Sequence, residues 1–290
     1  MDIQVGRYGC NGAFLGFFQL NTPLRFMRIL LTPISVSALL IALLLAACNS
    51  SEQTQSGAEE NPEAESAGAL LVSYNMENLF DTEDDPDNFG DDEFLPTARK
   101  EWTAERYQKK ISLLATALKG VADSMQKPLA LIGVQEVENE QVVRDVAAAL
   151  AELGLGEFEV VHAPSGDERG IDNALLYSTR YWQVLEQSLV SYTLPDPDDK
   201  TRATLIVSLA NKADTADHLI VGVNHWPSRG NEEEFRMAVG AQLNQALMEG
   251  YQVGTPNAAP VVLIGDFNDE PFNRASPSRW EPTKATLLPG

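Results

Sequence analysis

Pro260-Val-Val-Leu-Ile-Gly-Asp-Phe-Asn-Asp-Glu-Pro271 decides the fold. Its first half is a continuous apolar run, the mark of a strand buried on both faces. Its second half turns through Gly265, Asp266 and Asn268, so these residues stand at a strand's carboxyl end, where a rigid sheet holds side chains in place. Asp266 there can bind a cation or take a proton from water, and Asn268, two residues on, projects its amide to the same side. Asp and Asn also dominate turns for purely local reasons, so this turn gains weight only from others like it.

Others lie upstream. Ala69 to Asn75 is an apolar run ending in polar residues and presenting Asn75; Leu129 to Val134 delivers Gln135-Glu136-Val137-Glu138-Asn139; His218 to Val223 runs into Asn224-His225-Trp226-Pro227-Ser228-Arg229. Shorter β-rich runs fall at Phe158 to His162, Ala174 to Tyr177 and Ala203 to Leu209. Between them, Tyr107, Ile111, Leu114, Leu118, Val121 and Met125 recur in steps of four and three, which predicts a long amphipathic helix from Thr103. A second helix, Glu140 to Leu153, is closed by Gly154, and a third spans Glu232 to Glu249. Residues 69–290 therefore predict one large α/β domain with a real core. Four strand ends, carrying Asn75, Glu136, His225 and the Asp266/Asn268 turn, converge on one site. Oxygen ligands with one His and no Cys suit Mg²⁺ or Mn²⁺ better than zinc, with Ca²⁺ the further candidate.

The chain carries 21 Lys and Arg against 42 Asp and Glu, a net charge of −21. Such a protein is repelled by phosphate polymers unless divalent cations bridge the two, which argues against a general nucleic-acid binder and permits a cation-dependent enzyme. Asp81 to Glu93 packs eight carboxylates into thirteen residues broken by Pro86 and Gly90. An EF-hand alignment of Asp85 and Asp87 puts Phe89 at the third ligand position and Pro96 at the last, so the expectation is an exposed, solvated acidic loop.

Met27-Arg28, the apolar stretch from Ile29 and the small residues before Cys48 have the anatomy of an export signal. Leu45-Ala46-Ala47-Cys48 resembles a bacterial lipobox, which implies a signal peptide over 27–47, a lipid anchor on Cys48 and a place in the bacterial cell envelope. Asn49 after the Cys, with no Asp there, leans toward the outer membrane. Residues 48–68, poor in large apolar side chains, read as a flexible tether. Residues 1–26 add a second apolar patch, Ala13 to Leu20, ahead of the basic start, and translation from Met27 fits the pattern better. The two cysteines, Cys10 and Cys48, support no zinc site.

Five ordered blocks resemble the endonuclease/exonuclease/phosphatase superfamily in its bacterial extracellular branch. They are Tyr74-Asn75 with Glu77-Asn78-Leu79-Phe80-Asp81; Gln135 to Asn139; Arg169-Gly170-Ile171-Asp172 with Ala174-Leu175-Leu176-Tyr177; Asn224 to Arg229; and Gly265 to Asp269. That superfamily includes pancreatic-type DNases, abasic-site endonucleases, sphingomyelinases and inositol-phosphate phosphatases. The resemblance implies a DNase-like two-sheet α/β sandwich of mixed strands with flanking helices, and divalent-metal-dependent hydrolysis of phosphodiester bonds. It implies Glu136 as principal metal ligand with Asn75 beside it, and Asp266 as the residue that activates or orients the attacking water. Asn268 would hold Asp266 or donate to phosphoryl oxygens, while His225 and Arg169 stabilise charge growing on the phosphate. The plain structural alternatives make Arg169 a partner of the acidic surface, Tyr177 core and Asp172 a turn cap.

The family pattern also has a further Asp and a closing Asp-His pair well downstream of the D-x-N turn. This sequence runs only 22 residues past Asn268, and 276–290 holds no His and no strand-like run. The expectation is an incomplete domain over 69–290, with the last strands of the second sheet missing, an unpaired edge and weakened activity. An extracytoplasmic nuclease leads the functional readings. A phosphatase or phospholipase of the same superfamily, or a non-catalytic surface lipoprotein, are the alternatives.

Overall fold

The computed structural model describes residues 68–251, 258–270 and 273–275 in full, and the backbone of 2–10, 13–21 and 286–287. The signal segment 27–47, Cys48 and the tether short of Gly68 lie outside the described residues. Two mixed sheets pack face to face with helices on their outer sides. In chain order the elements are β1 (Asp2–Cys10), β2 (Ala13–Asn21), β3 (Ala69–Leu79), α1 (Ala104–Met125), β4 (Leu129–Val137), α2 (Glu140–Glu152), β5 (Phe158–His162) and β6 (Asp172–Ser178). Then follow β7 (Trp182–Val190), β8 (Thr204–Asn211), β9 (His218–His225), α3 (Glu233–Gly250), β10 (Val261–Asp266) and β11 (Thr286–Leu287).

Each sheet has a four-stranded body with one parallel pair. In the first, β3 and β4 run parallel and β6 and β5 continue antiparallel. In the second, β10 and β9 run parallel and β8 and β7 continue antiparallel. The strands alternate with period two between layers. Leu71, Leu131, Leu175, Val207, Val223 and Ile264 fill the space between the sheets. Leu70, Val72 and Ile132 meet α1 and α2 on one outer face, and Ile206, Val261 and Leu263 meet α3 on the other. The predicted stripe of α1 lies on the first of these faces, with Thr103 as N-cap accepting from the Arg106 N–H.

Both sheets carry a strand that the sequence pattern does not show. On the first, β2 pairs antiparallel with β3 from Leu15–Tyr74 to Leu20–Ala69. On the second, where the open edge is expected, β11 pairs with β10 at Val262 and Leu263 only, although 276–290 shows no strand-like run. The edge strand β7 escapes the pattern because Gln183, Glu186 and Gln187 face solvent, leaving little apolar alternation to read. Among the described residues no helix is long and apolar enough to cross a membrane.

Leu118 is fully buried under α1, whereas Leu113 on the same helix is 60% exposed. Leu118→Ala is expected to cost about 2–5 kcal/mol in urea unfolding and Leu113→Ala no more than about 0.5 kcal/mol. Equal losses would place the wrong face of α1 on the sheet.

Candidate functional site

Alternation carries three of the predicted residues to one place. The inward series Leu71-Ser73-Asn75, Val221-Val223-His225 and Val262-Ile264-Asp266 begin with apolar side chains in the inter-sheet layer and end polar. His225 and Asp266 are register partners across β9 and β10. Glu136 arrives differently. Strict alternation would aim it with Ile132 and Val134 at the helix face, but it sits in a bulge on both sides of β4. Pairing skips it between Gln135 and Val137 against β6, and skips Met76 to Asn78 opposite it on β3. Its backbone is left-handed, φ 58°.

The result is a cluster spanning both sheets. Asn75 Nδ2 donates to Glu136 Oε1 at 3.1 Å and to Asp266 Oδ2 at 3.4 Å. His225 Nε2 lies 3.7 Å from Glu136 Oε1, and an Arg169 guanidinium nitrogen lies 3.7 Å from Glu136 Oε2. Asn268, also left-handed, donates its backbone N–H to Asp266 Oδ1 at 3.0 Å, while its side-chain amide donates to the Trp226 carbonyl at 3.0 Å. Asn268 thus holds Asp266 through the backbone and has its own side-chain donor engaged. Asn75 Oδ1 accepts from the Glu77 N–H at 2.8 Å, so its amide bridges the carboxylates as a donor. Ligation through Oδ1 would require the amide to turn over and give up that bond.

Several residues that strand patterning alone does not assign hold this cluster. Arg169 donates to Asn78 Oδ1, and Lys110 of α1 donates to the carbonyls of Glu77 and Asn78, both left-handed. Burial pushes the Lys110 ammonium down to about 8, against the attraction of Glu77 and Glu136. Asp172 accepts from the Ser165 N–H and hydroxyl and pairs with His162 at 3.0 Å, closing the loop that carries Arg169. Fully buried Asn224 accepts from Thr204 and Trp226 and donates to the carbonyls of Gly222 and Ile264, joining β8, β9 and β10. An Asn inside an apolar strand is the sequence signal for it. Gly265 has φ 134°, and a Cβ there would meet the Asn224 carbonyl oxygen at 1.9 Å, so only glycine brings the Asp266 turn this close.

Burial, reinforced by the positive charges of Arg202 and Arg169, holds the His225 imidazole well below its ordinary 6.5, so it is neutral at pH 7. Among the described residues its buried Nδ1 has no hydrogen-bond partner, while Nε2 faces the Glu136 carboxylate, the arrangement that favours the proton on Nε2. Burial pushes Glu138, whose carboxylate accepts from the Asp81 N–H, up to about 8. A divalent cation fits this donor set. Glu136 and Asp266 are carboxylates drawn onto one amide, the Glu136 side chain is 13% exposed, and the histidine beside it is uncharged. Glu136 and Asp266, with Asn75 if its amide turns, are the residues that would hold the ion.

The model of the "Endonuclease/Exonuclease/phosphatase family" matches residues 70–285. No match was found among curated proteins. Among solved structures, the human nocturnin catalytic domain with bound sulfate is 21% identical, covering 57% of this chain and 60% of its own, with a TM-score of 0.44. A Bacteroides thetaiotaomicron mannosyl-6-phosphatase is 15% identical over 58% of this chain and 59% of its own, TM-score 0.43. The 2',3'-cyclic phosphatase ANGEL2 with adenosine-2',3'-vanadate is 17% identical over 55% of this chain and 44% of its own, TM-score 0.44. The chain thus spans 60% or less of the length of these structures.

His225 generates a pH prediction. Its folded value lies below 6.5, so between the two values the unfolded chain binds a proton that the folded chain excludes, and stability drops as pH falls below 6.5. Urea unfolding at pH 7.5 and 5.5 should show a smaller loss for His225→Gln than for the parent chain. An equal or larger loss in the variant would mean that His225 is charged in the fold.

Proposed function

The chain belongs to the endonuclease/exonuclease/phosphatase family, and on that footing we propose that it hydrolyses phosphoester bonds with a bound divalent metal. The observation that carries the proposal is the convergence of Glu136, Asp266, His225 and Asn75 on one point at the open end of the inter-sheet layer. Mg²⁺ or Mn²⁺ is the proposed ion. Bound there, it would polarise the phosphoryl group and offset its negative charge.

The chain's own residues supply the rest. Asp266, fixed through Oδ1 by the Asn268 N–H, presents Oδ2, the oxygen facing Asn75, toward the ion it would help to hold and orients the attacking water beside it. His225, neutral, offers Nε2–H to a phosphoryl oxygen without bringing a charge that Glu136 would trap. Arg169, half exposed at the mouth, offers its guanidinium to the phosphate. Asn75 keeps the two carboxylates together before substrate arrives.

The substrate we propose is a phosphodiester, with nucleic acid first, acted on outside the cytoplasm by a chain anchored to the outer membrane through Cys48. A second reading, a phosphatase acting on small phosphoesters, is favoured by the net charge of −21, which repels a polymer that a single phosphate group would not match.

Plasmid nicking and release of phosphate from small phosphomonoesters, each followed with Mg²⁺, Mn²⁺ or EDTA, separate the two. Cation-dependent turnover on one substrate class is expected, with Asp266→Ala lowering kcat about 10²- to 10⁴-fold. Turnover that survives this change would remove Asp266 from the chemistry. Mn²⁺ binding with no turnover on either class would leave a non-catalytic surface lipoprotein.

A further inference from the structure

The loop 81–95 departs from the solvated loop that its composition predicts. Asp91 is only 1% exposed, and its Oδ1 is buried without a hydrogen-bond partner among the described residues. Its other oxygen accepts from the Asp85 N–H at 2.7 Å. Asp84, Asp91 and Asp92 each bring one carboxylate oxygen to the cluster, the three lying within 4.8 Å of one another. The charges acting on Asp91 are those of Asp84, Asp92 and Asp85, all of the same sign. The nearby cations Arg99 and Lys100 are committed to Glu93. A buried carboxylate oxygen with neither donor nor countercharge is costly, and native folds rarely leave one so. The orphan oxygen therefore points to a ligand.

We propose that Asp84, Asp91 and Asp92 form a second cation site, separate from Glu136 and Asp266, that takes Ca²⁺. The donors are all oxygen, and two of the three carboxylates are exposed to solvent. Ca²⁺, with its flexible shell of six to eight oxygens, suits this arrangement better than Mg²⁺, which demands an octahedron. The spacing of seven and one residues is not that of an EF-hand, which is why aligning that pattern missed it.

Position gives the site a consequence. Gly90, next to Asp91, packs so closely on the Arg169 carbonyl that a Cβ would lie 2.0 Å from its oxygen, and the Asn88 side chain fills the space beside Gly170. The loop begins at Asp81, whose N–H donates to Glu138, two residues from Glu136. Ca²⁺ bound at Asp91 neutralises the repulsion inside the loop and fixes the wall against which Arg169 is set. It thereby positions Arg169 without touching substrate.

The test is calorimetric titration of Ca²⁺ into the full chain carrying Glu136→Gln, which removes the candidate catalytic site, and into the same chain with Asp91→Asn or Asp92→Asn added. One Ca²⁺ is expected in the first protein, with a Kd of about 10⁻⁵ to 10⁻³ M, weakened at least about tenfold by either addition. Thermal unfolding should show Ca²⁺ raising Tm in the Glu136→Gln protein and not in the Asp91→Asn protein, whose Tm without Ca²⁺ is equal or higher because the uncompensated charge is gone. Asp92→Asn, at an exposed position, keeps the test valid if Asp91→Asn misfolds. No Ca²⁺ bound to the Glu136→Gln protein, or binding unchanged by both additions, overturns the site. Neither result bears on hydrolysis at Glu136 and Asp266, so the two proposals fail separately.

Discussion

The amide of Asn75 donates at once to Glu136 of the first sheet and Asp266 of the second. Two carboxylates brought this close repel each other, and a single shared N–H₂ group draws them onto one point. The rest of the structure serves to make that meeting possible. Gly133 lets β4 approach the second sheet, since a Cβ there would lie 2.4 Å from the Ile264 side chain and 3.3 Å from Val223. Asn224 then locks β8, β9 and β10 so that Asp266 and His225 arrive in register.

The same meeting is bought with backbone strain. Glu77, Asn78, Glu136 and Asn268, four of the six non-glycine residues with left-handed backbone among those described, surround the site. Each costs of the order of 1–3 kcal/mol and persists only where neighbours over-determine it. Lys110 on the Glu77 and Asn78 carbonyls, Asn75 on the Glu77 N–H and the Asp266 carboxylate on the Asn268 N–H are those neighbours. This strain lies around the carboxylates rather than in the apolar layer.

Much of this was legible in the residues. Apolar runs ending in Asn, His or Asp at period two bring Asn75, His225 and Asp266 to the inter-sheet face, because strand alternation is set by the backbone alone. The 3.6-residue stripe of α1 was equally plain. Glu136 was found as a strand-end acid, but its aim was not, because a bulge depends on both neighbouring strands and leaves no local signal. Asp91 was hidden for a related reason. Its composition reads as solvated, and only the packing of Gly90 and Asn88 against Arg169 and Gly170 shows that the loop folds back onto the domain. Strand β7 was invisible because its solvent-facing edge carries polar side chains.

Glu136 and Asp266, drawn together by Asn75, are proposed to hold one divalent cation, and anomalous diffraction from crystals soaked in Mn²⁺ tests this. A peak is expected within about 2.5 Å of a Glu136 carboxylate oxygen, on the side facing Asp266 and Nε2 of His225. Ordered Mn²⁺ elsewhere in the same crystal, with no peak at Glu136, would contradict it.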